Sequence, residues 1–328
     1  MKLNIRELKA RAAELTAENR GPARQLVLWY CGVVALLTLG SSGLNLYLDS
    51  QISSTGGLSG IGLRSVLQTI QEILNLVNQF FGPFWSAGFL FAMMSMVRGN
   101  QPQCRDLTEG FRRFFRVLGH ACFQFMVAVL VLTAAGYLGS IIYALSPLGA
   151  RLTAELGPIL TDPNLITPEG MVNLELIPAD TLAAAALPLA LITAALFLPM
   201  YIWLSYGFRL SLYLVIDQSI GAFQAHFLSL RLMKGHKWSM LKLDLSYWWY
   251  YLLTVLFGVV GYLDLILGIL GVPLPMDETV MFFATMAAYC VLVTGLSLWK
   301  KCQVDASYVL AYEAIAHPEP VEIPIETQ

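Results

Sequence analysis

The chain has few charged residues: Asp, Glu, Lys and Arg make up 13% of its 328 residues, against 57% hydrophobic ones. Soluble domains carry roughly 25% charged residues, so this composition is far from that of an ordinary water-soluble fold. The formal net charge of −2 also lacks the basic excess of proteins that bind nucleic acid, and we expect no nucleic-acid partner.

The chain also lacks the residue patterns that hold metals or carry out catalysis. Its five cysteines are widely spaced and its four histidines have no metal-ligand spacing, which indicates neither a disulfide framework nor a zinc site. The segment from Ser239 to Lys242 matches S-x-x-K, but no K-T-G follows it. The glycines at 56–62 lack the lysine of a phosphate-binding loop. We therefore predict no metal, no cofactor and no catalytic residue, and expect the protein not to be an enzyme.

Long apolar stretches are what the chain has instead. Six of them reach about 20 residues or more, the length that crosses roughly 30 Å of hydrocarbon as a helix. They predict an all-α, polytopic integral membrane protein with six transmembrane helices, at about residues 25–47, 79–98, 117–145, 182–208, 247–270 and 280–299. Proline is expected to break or kink the chain at Pro83, and to kink the fourth stretch at Pro188 and Pro199. We expect one membrane domain over residues 1–316 and a disordered cytoplasmic tail, rich in Pro and Glu, at 317–328.

The basic residues are distributed unevenly between these stretches. Eighteen of the 20 Lys and Arg residues lie before the first stretch, after the last one or in alternate gaps, and the other gaps hold only Arg64 and Arg151. Because basic residues near membrane spans stay on the cytoplasmic side, both termini are predicted to be cytoplasmic.

Three of the base-rich segments have the residue spacing of amphipathic helices: Leu3–Glu18, Asp106–Arg116 and Ile220–His236. They are predicted to be cytoplasmic helices that lie on the inner leaflet. In the third segment the apolar side is expected to consist of Phe223, Phe227, Leu230 and Met233. Arg231 and Lys234 are expected to project into solvent.

The bases around this third segment are the candidate contacts for an anionic lipid headgroup or a phosphate: Arg231, Lys234, His236 and Lys237. Each base near the surface adds about 1 kcal/mol of attraction to an anionic leaflet. In a second interpretation, which stays open here, these bases only anchor the topology.

Three ionisable residues are candidates for polar groups within the membrane: Asp244, Asp264 and His120. Such groups are costly in a bilayer and often functional, so an ion relay is one interpretation. The other is placement at the interface or a structural pairing, for example of Asp244 with Lys242 or Arg209. For His120 a satisfied packing role is favoured over a role as a ligand.

One segment carries a family resemblance. The S-L-R-L-M-K-G-H-K sequence at 229–237, followed by L-D-L-S at 243–246 and an aromatic run, resembles domain-of-unknown-function family 975, polytopic membrane proteins of Gram-positive bacteria. Where that family usually has L-x-L-S-F-x-x-W, Tyr247 replaces the Phe and Trp249 or Tyr250 stands near the Trp. The resemblance implies a polytopic fold over the whole chain and a bacterial cytoplasmic membrane location. It implies no activity, substrate or catalytic residue.

Three functional hypotheses follow. The favoured one is a non-enzymatic membrane protein that organises lipid or a protein partner at the inner leaflet, because basic amphipathic segments are prominent and catalytic patterns are absent. The alternative is a small-solute or lipid transporter, suggested by the proline-containing spans with Asp244 and Asp264. A third is an intramembrane enzyme acting on lipid, which needs a polar cluster that the sequence does not display. The bilayer, with its anionic headgroups, is the expected partner, and the sequence indicates no particular protein partner.

The topology is tested with an epitope tag at either terminus. Because the positive-inside distribution places both termini in the cytoplasm, a tag on either one is expected to be inaccessible to antibody or protease in intact cells and accessible after permeabilisation. Access from outside intact cells would contradict the predicted orientation.

Overall fold

The computed structural model of the protein describes residues 4–54, 61–151, 154, 179–263, 266–267 and 278–317. These residues form helices joined by turns and short coil segments, and they contain no β-strand. The predicted all-α fold class is therefore confirmed over the described ranges. Asp264 and the tail from residue 318 onwards lie outside them.

The helices in chain order are α1 (Ile5–Glu18), α2 (Arg20–Ser54), α3 (Ile61–Val97), α4 (Glu109–Arg112), α5 (Phe114–Ala144), α6 (Ala179–Gly207), α7 (Ser211–Asp217), α8 (Ala222–Leu232), α9 (Lys237–Ser246), α10 (Trp248–Gly261), α11 (Glu278–Leu296) and α12 (Cys302–Ala316). A 3-10 turn, Cys104–Thr108, precedes α4. A π-helical turn, Ser297–Lys301, joins α11 to α12.

Four helical stretches are long and apolar enough to cross a membrane: Arg20–Leu48, Phe114–Ala144, Ala186–Asp217 and Thr279–Ala316. A fifth is formed if α9 and α10, which are bent by 63° at Tyr247, count as one broken span. The second predicted span, 79–98, corresponds to a shorter apolar helix, Phe81–Val97. The described residues therefore hold four or five candidate spans, and the sixth stays a prediction.

Many apolar side chains of these stretches face outward. They include Leu36, Leu130, Leu191, Val255 and Val291. A water-soluble helix bundle buries such a face, whereas a helix in a bilayer exposes it to lipid tails. The outer surface of the helices is thus compatible with insertion in a membrane.

Proline does not end the helices that contain it. Helix α3 continues through Pro83, and α6 contains both Pro188 and Pro199. Neighbouring groups can satisfy the backbone carbonyls that an internal proline leaves without an N–H donor. Of the two expectations for Pro83, a break is therefore wrong, and a kink stays a prediction.

The chain forms two compact units, one of Met1–Ala121 with Arg209–Gln328 and the other of Cys122–Phe208. In the first unit α12 is the central helix: nine of its 15 residues are buried, and α1 and α3 pack against it. Helix α1 turns its buried Ala12 and Leu15 inward, as its amphipathic spacing predicts. Helix α11 packs against α2 and α10.

In the second unit α5 and α6 approach each other closely at Gly139. A Cβ atom on this glycine would lie 2.8 Å from the hydroxyl oxygen of Thr193. Small residues allow such approaches between helices in a membrane.

The tightest backbone approach in the first unit is that of α3 to the segment around the 3-10 turn and α4. A Cβ atom on Gly88 would overlap the carbonyl oxygen of Leu107, and one on Gly110 would overlap the carbonyl oxygen of Phe84. Only glycine fits at either position without a shift of the backbone.

Replacing Gly88 with Ala is expected to lower stability by about 1–3 kcal/mol, because the added methyl group must displace backbone rather than a flexible side chain. The measurement is thermal unfolding of the detergent-solubilised protein, followed by tryptophan fluorescence. Gly32→Ala is the control, because nothing lies within 4 Å of the Cβ position there. That variant should be neutral or slightly stabilised, and equal stability of the two variants would contradict the close approach.

Candidate functional site

A partly buried ion pair joins Asp244 of α9 to Arg209, and a hydrogen bond extends it to α12. The Asp244 carboxylate accepts a hydrogen bond from Arg209 at 2.9 Å and another from the hydroxyl of Tyr308 on α12. The Tyr308 hydroxyl also contacts that of Tyr251 on α10, and the Arg209 guanidinium lies 4.8 Å from the centre of the Tyr308 ring. The pairing of Asp244 with Arg209 is therefore present, which favours a structural role for Asp244.

The bend between α9 and α10 brings a second tyrosine into the same core. Tyr247, at the bend, is fully buried, and its hydroxyl lies 2.7 Å from that of Ser307 on α12. Lys9 of α1 donates to the carbonyl oxygen of Ser246 at 3.0 Å and lies 4.4 Å from the Tyr247 ring centre. Burial lowers the pKa of Lys9, and repulsion from Lys300 lowers it further. Helix α1 is thus attached to the bend by polar contacts as well as by its apolar face.

A second ionic cluster lies at the end of α12. Arg98, directly after α3, contacts Asp217 at 2.6 Å and Glu313 at 2.8 Å. Tyr312 donates its hydroxyl to Asp217 at 2.8 Å, and His317 lies 3.1 Å from the same carboxylate. The ends of α3 and α7 are therefore joined to α12 through one arginine and two carboxylates.

The π-helical turn before α12 directs a lysine into the first unit. Lys301 pairs with Asp305 at 3.0 Å and lies 5.0 Å from the ring centre of Tyr30 and 4.7 Å from that of Phe89. In the sequence, Lys301 is one of the two bases that follow the sixth apolar stretch, where it is expected at the inner surface. The hydrophobic pattern carries no sign of the π-turn that turns it inward. Such turns are rare in proteins, and those that occur are often found at functional sites.

Sequence analysis missed the polar residues of α12, although their spacing carried a signal. Asp305, Tyr308 and Tyr312 are separated by three and four residues, so they lie on one side of a helix. An acidic residue and two tyrosines on one side of an otherwise apolar helix indicate a polar contact inside the protein.

His120 packs against a second histidine. Its ring is stacked on that of His226 at a centroid distance of 4.8 Å, and the Ser211 hydroxyl lies 3.4 Å from its Nδ1 atom. Nδ1 of His226 donates to the carbonyl oxygen of Ala222 at 2.7 Å, and burial lowers the pKa of His226. Within the described residues no group of three or more His, Cys, Asp or Glu side chains could hold a metal.

The four candidate headgroup contacts lie within residues 231–237, from the last turn of α8 through the turn at Gly235 to the first residue of α9. Arg231 and Lys234 are exposed, and His236 and Lys237 are half-buried. Gly235 between them has a φ of +92°, a conformation that glycine adopts without strain. The turn at Gly235 therefore keeps the bases adjacent while the chain changes direction.

Helix α8 presents aromatic and basic residues on the same side. Phe223 is 63% exposed, and its ring contacts that of Phe227 at 4.7 Å. Arg231 follows Phe227 at a spacing of four residues, so Phe223, Phe227 and Arg231 share one side of α8. Exposed Lys234 follows in the turn after the helix, and we call these four residues the aromatic–basic face.

The expected apolar side of this segment is therefore wrong in part. The side buried in the protein consists of Ala225, His226, Ser229 and Met233. Phe223 and Phe227 lie opposite to it, next to Arg231, because positions 225, 229 and 233 are offset from 223, 227 and 231 by about half a helical turn. Trp238, at the start of α9, adds an aromatic side chain that is 71% exposed.

These features define a class of protein: an all-helical chain with several helices apolar and long enough to span a membrane, and a polar core around its last described helix. The family model described as a protein of unknown function, DUF975, matches residues 52–288, so the chain belongs to this family. The resemblance found in residues 229–246 is thereby confirmed. Comparisons with curated proteins and with solved structures find no match.

Asp244→Ala is expected to lower the free energy of unfolding by about 1–3 kcal/mol, because it leaves the partly buried charge of Arg209 without its carboxylate. The loss is smaller than for a fully buried pair, since the Arg209 side chain is 33% exposed and water screens its charge. Replacing both residues with apolar ones, Arg209→Met with Asp244→Leu, should recover much of that loss. Denaturant titration in mild detergent measures both effects.

The control is Glu14→Ala, which removes the exposed pair of Glu14 with Arg11 at 2.8 Å. Exposed pairs contribute at most about 1 kcal/mol. A loss for Asp244→Ala no larger than that of the control would show that the partly buried pair does not stabilise the fold.

Proposed function

We propose that the protein is a non-enzymatic, multi-pass protein of the bacterial cytoplasmic membrane that organises anionic lipid at the inner leaflet. In this proposal six helices span the membrane, both termini are cytoplasmic, and the aromatic–basic face rests at the headgroup level. The observation that carries the proposal is the presence of two exposed phenylalanines and exposed Arg231 on one side of α8, followed by exposed Lys234 in the next turn.

The composition of the face supports contact with a membrane surface. Aromatic rings such as Phe223 and Phe227 enter the boundary between headgroups and acyl chains, while Arg231 and Lys234 attract anionic headgroups. An ordinary solvated helix surface has no reason to expose two contacting phenylalanines. Trp238 suits the same boundary, because tryptophan is enriched at membrane–water interfaces.

The distribution of charge supports the same proposal. The acidic residues Asp217, Asp244 and Glu313 are bonded to arginines within the first unit. Arg231 and Lys234 remain exposed on the face. Anionic lipid would therefore meet bases there rather than carboxylates.

A small-solute or lipid transporter is the second candidate. It is favoured by a cavity of about 310 Å³ in the second unit, whose lining includes the hydroxyls of Thr133, Tyr137, Ser140 and Thr193. Thr133 and Ser140 donate to the backbone of their own helix, and the lining of this cavity holds no Asp, Glu, Lys or Arg. We rank transport below lipid organisation for these two reasons.

The test is binding of phosphatidylglycerol and phosphatidylcholine to the full chain in uncharged detergent, read as lipid retained per protein. In the triple variant Arg231→Gln, Lys234→Gln and Lys237→Gln, phosphatidylglycerol affinity at low salt should fall by about 3 kcal/mol, roughly a hundredfold. Binding by the unaltered chain should weaken as salt is added.

A control variant removes three exposed bases from elsewhere: Arg6→Gln, Arg11→Gln and Arg105→Gln. It should keep most of the affinity, because these positions lie outside the face. Equal phosphatidylglycerol binding by the triple variant and the unaltered chain would contradict the lipid role and leave a protein partner as the ligand of the face.

A further inference from the structure

The first unit contains a small cavity that borders the ionic cluster of Arg98 and Asp217 and shares no residue with the aromatic–basic face. It has a volume of about 180 Å³ and lies where the ends of α3 and α7 meet the residue between α4 and α5. Its lining includes Phe91, Ser95, Arg98, Asn100, Arg113 and Asp217. One water molecule occupies about 30 Å³ in the liquid, so the cavity has room for a group larger than water.

Arg113 is the unusual residue of this lining. Its guanidinium lies 5.3 Å from the ring centre of Phe91. Its Nη1 atom is buried and has no hydrogen-bond partner within the described residues. Burial lowers the pKa of Arg113, and the attraction of Glu109 offsets this only in part. Leaving a buried charged donor unpaired is costly, which suggests that a partner is missing.

The carboxylates near Arg113 are bonded to other arginines. Glu109 pairs with Arg112 at 2.5 Å. Asp217 pairs with Arg98 at 2.6 Å. Both carboxylates attract Arg113, but neither forms an ion pair with it within the described residues, so its guanidinium is available to an anion from outside the chain.

Asp217 is the one carboxylate in the lining, and its negative charge is already balanced. Besides Arg98, it accepts a hydrogen bond from Tyr312 at 2.8 Å and lies 3.1 Å from His317. It therefore repels an anion less than a free carboxylate would.

We propose that this cavity binds a phosphate group, with Arg113 supplying the positive charge. The planar guanidinium presents paired donors that match phosphate oxygens, and such charge-assisted bonds are the strong ones. Ser95 and Asn100 add a hydroxyl and an amide as further donors. The phosphate can come from free phosphate or from a phospholipid headgroup, because both present the same oxygens.

This inference does not depend on the proposed function. The cavity shares no residue with the aromatic–basic face, so a variant can remove one site and leave the other intact. Loss of lipid binding in the triple variant together with unchanged phosphate binding would separate the two sites.

The experiment is calorimetric titration of the full chain in uncharged detergent and phosphate-free buffer. One arm uses inorganic phosphate and the other a short-chain phosphatidic acid, and saturable binding is expected in at least one of them. Arg113→Gln should weaken that binding roughly 10- to 100-fold, since it removes the charged donor. Arg113→Lys should bind the probe with intermediate affinity, because it keeps the positive charge and loses the paired donors of the planar guanidinium.

Arg112→Gln is the matched control, because it removes the same charge one residue away from an arginine that is exposed and already paired. It should bind within about twofold of the unaltered chain, since it contributes no donor to the cavity. The absence of saturable binding in both arms, or equal binding by Arg113→Gln and the unaltered chain, would overturn the proposal.

Thermal unfolding distinguishes ligand binding from packing. Without phosphate, Arg113→Gln should be at least as stable as the unaltered chain, because an unpaired buried charge is removed. With the saturating probe, the unaltered chain should gain stability and the variant should not. Equal destabilisation of the variant in both buffers would mean that Arg113 only packs against Phe91, and that result would also overturn the proposal.

Discussion

The structure of the first unit depends on satisfying the polar groups that α12 carries into a buried site. Most of this helix is enclosed, so Tyr308, Tyr312 and Glu313 require partners from the protein itself. Asp244 accepts from Tyr308, Asp217 accepts from Tyr312, and Arg98 pairs with Glu313. The two aspartates come from other segments, and each has its own arginine. Because every contact joins distant parts of the sequence, these pairs determine where the ends of α3, α7 and α9 lie.

The same constraint places the paired acidic residues and the exposed basic residues in different parts of the first unit. Carboxylates such as Asp244 are bonded to arginines around α12, whereas Arg231 and Lys234 remain exposed beside two phenylalanines. A surface of this composition suits an anionic membrane, which gives a physical reason for the proposed role. Arg113 is a different case, since its guanidinium is partly buried and its Nη1 atom has no hydrogen-bond partner within the described residues.

Sequence reasoning predicted the helical class, the family and a pairing of Asp244 with Arg209 as one of two alternatives. It could not predict which side of α8 packs against the protein, because it grouped Met233 with Phe223 and Phe227 on one apolar side. The protein buries the side with Ala225 and Ser229, whose small side chains allow close packing. It also could not predict that Lys301 points inward, since the π-turn that directs it there has no residue signature.

The sequence by itself determined the properties that depend on local composition and order along the chain. The length of the apolar stretches indicates candidate spans, and the distribution of Lys and Arg between them predicts their orientation. Both properties depend on how a segment interacts with its surroundings rather than on contacts with distant residues. Only the tertiary structure decided which charges are paired and which are left without a partner. Arg98 and Arg113 both line one cavity near the ends of apolar helices, yet Arg98 pairs with two carboxylates, whereas Nη1 of Arg113 has no hydrogen-bond partner among the described residues. That difference arises from contacts between residues more than a hundred positions apart, which no local pattern records.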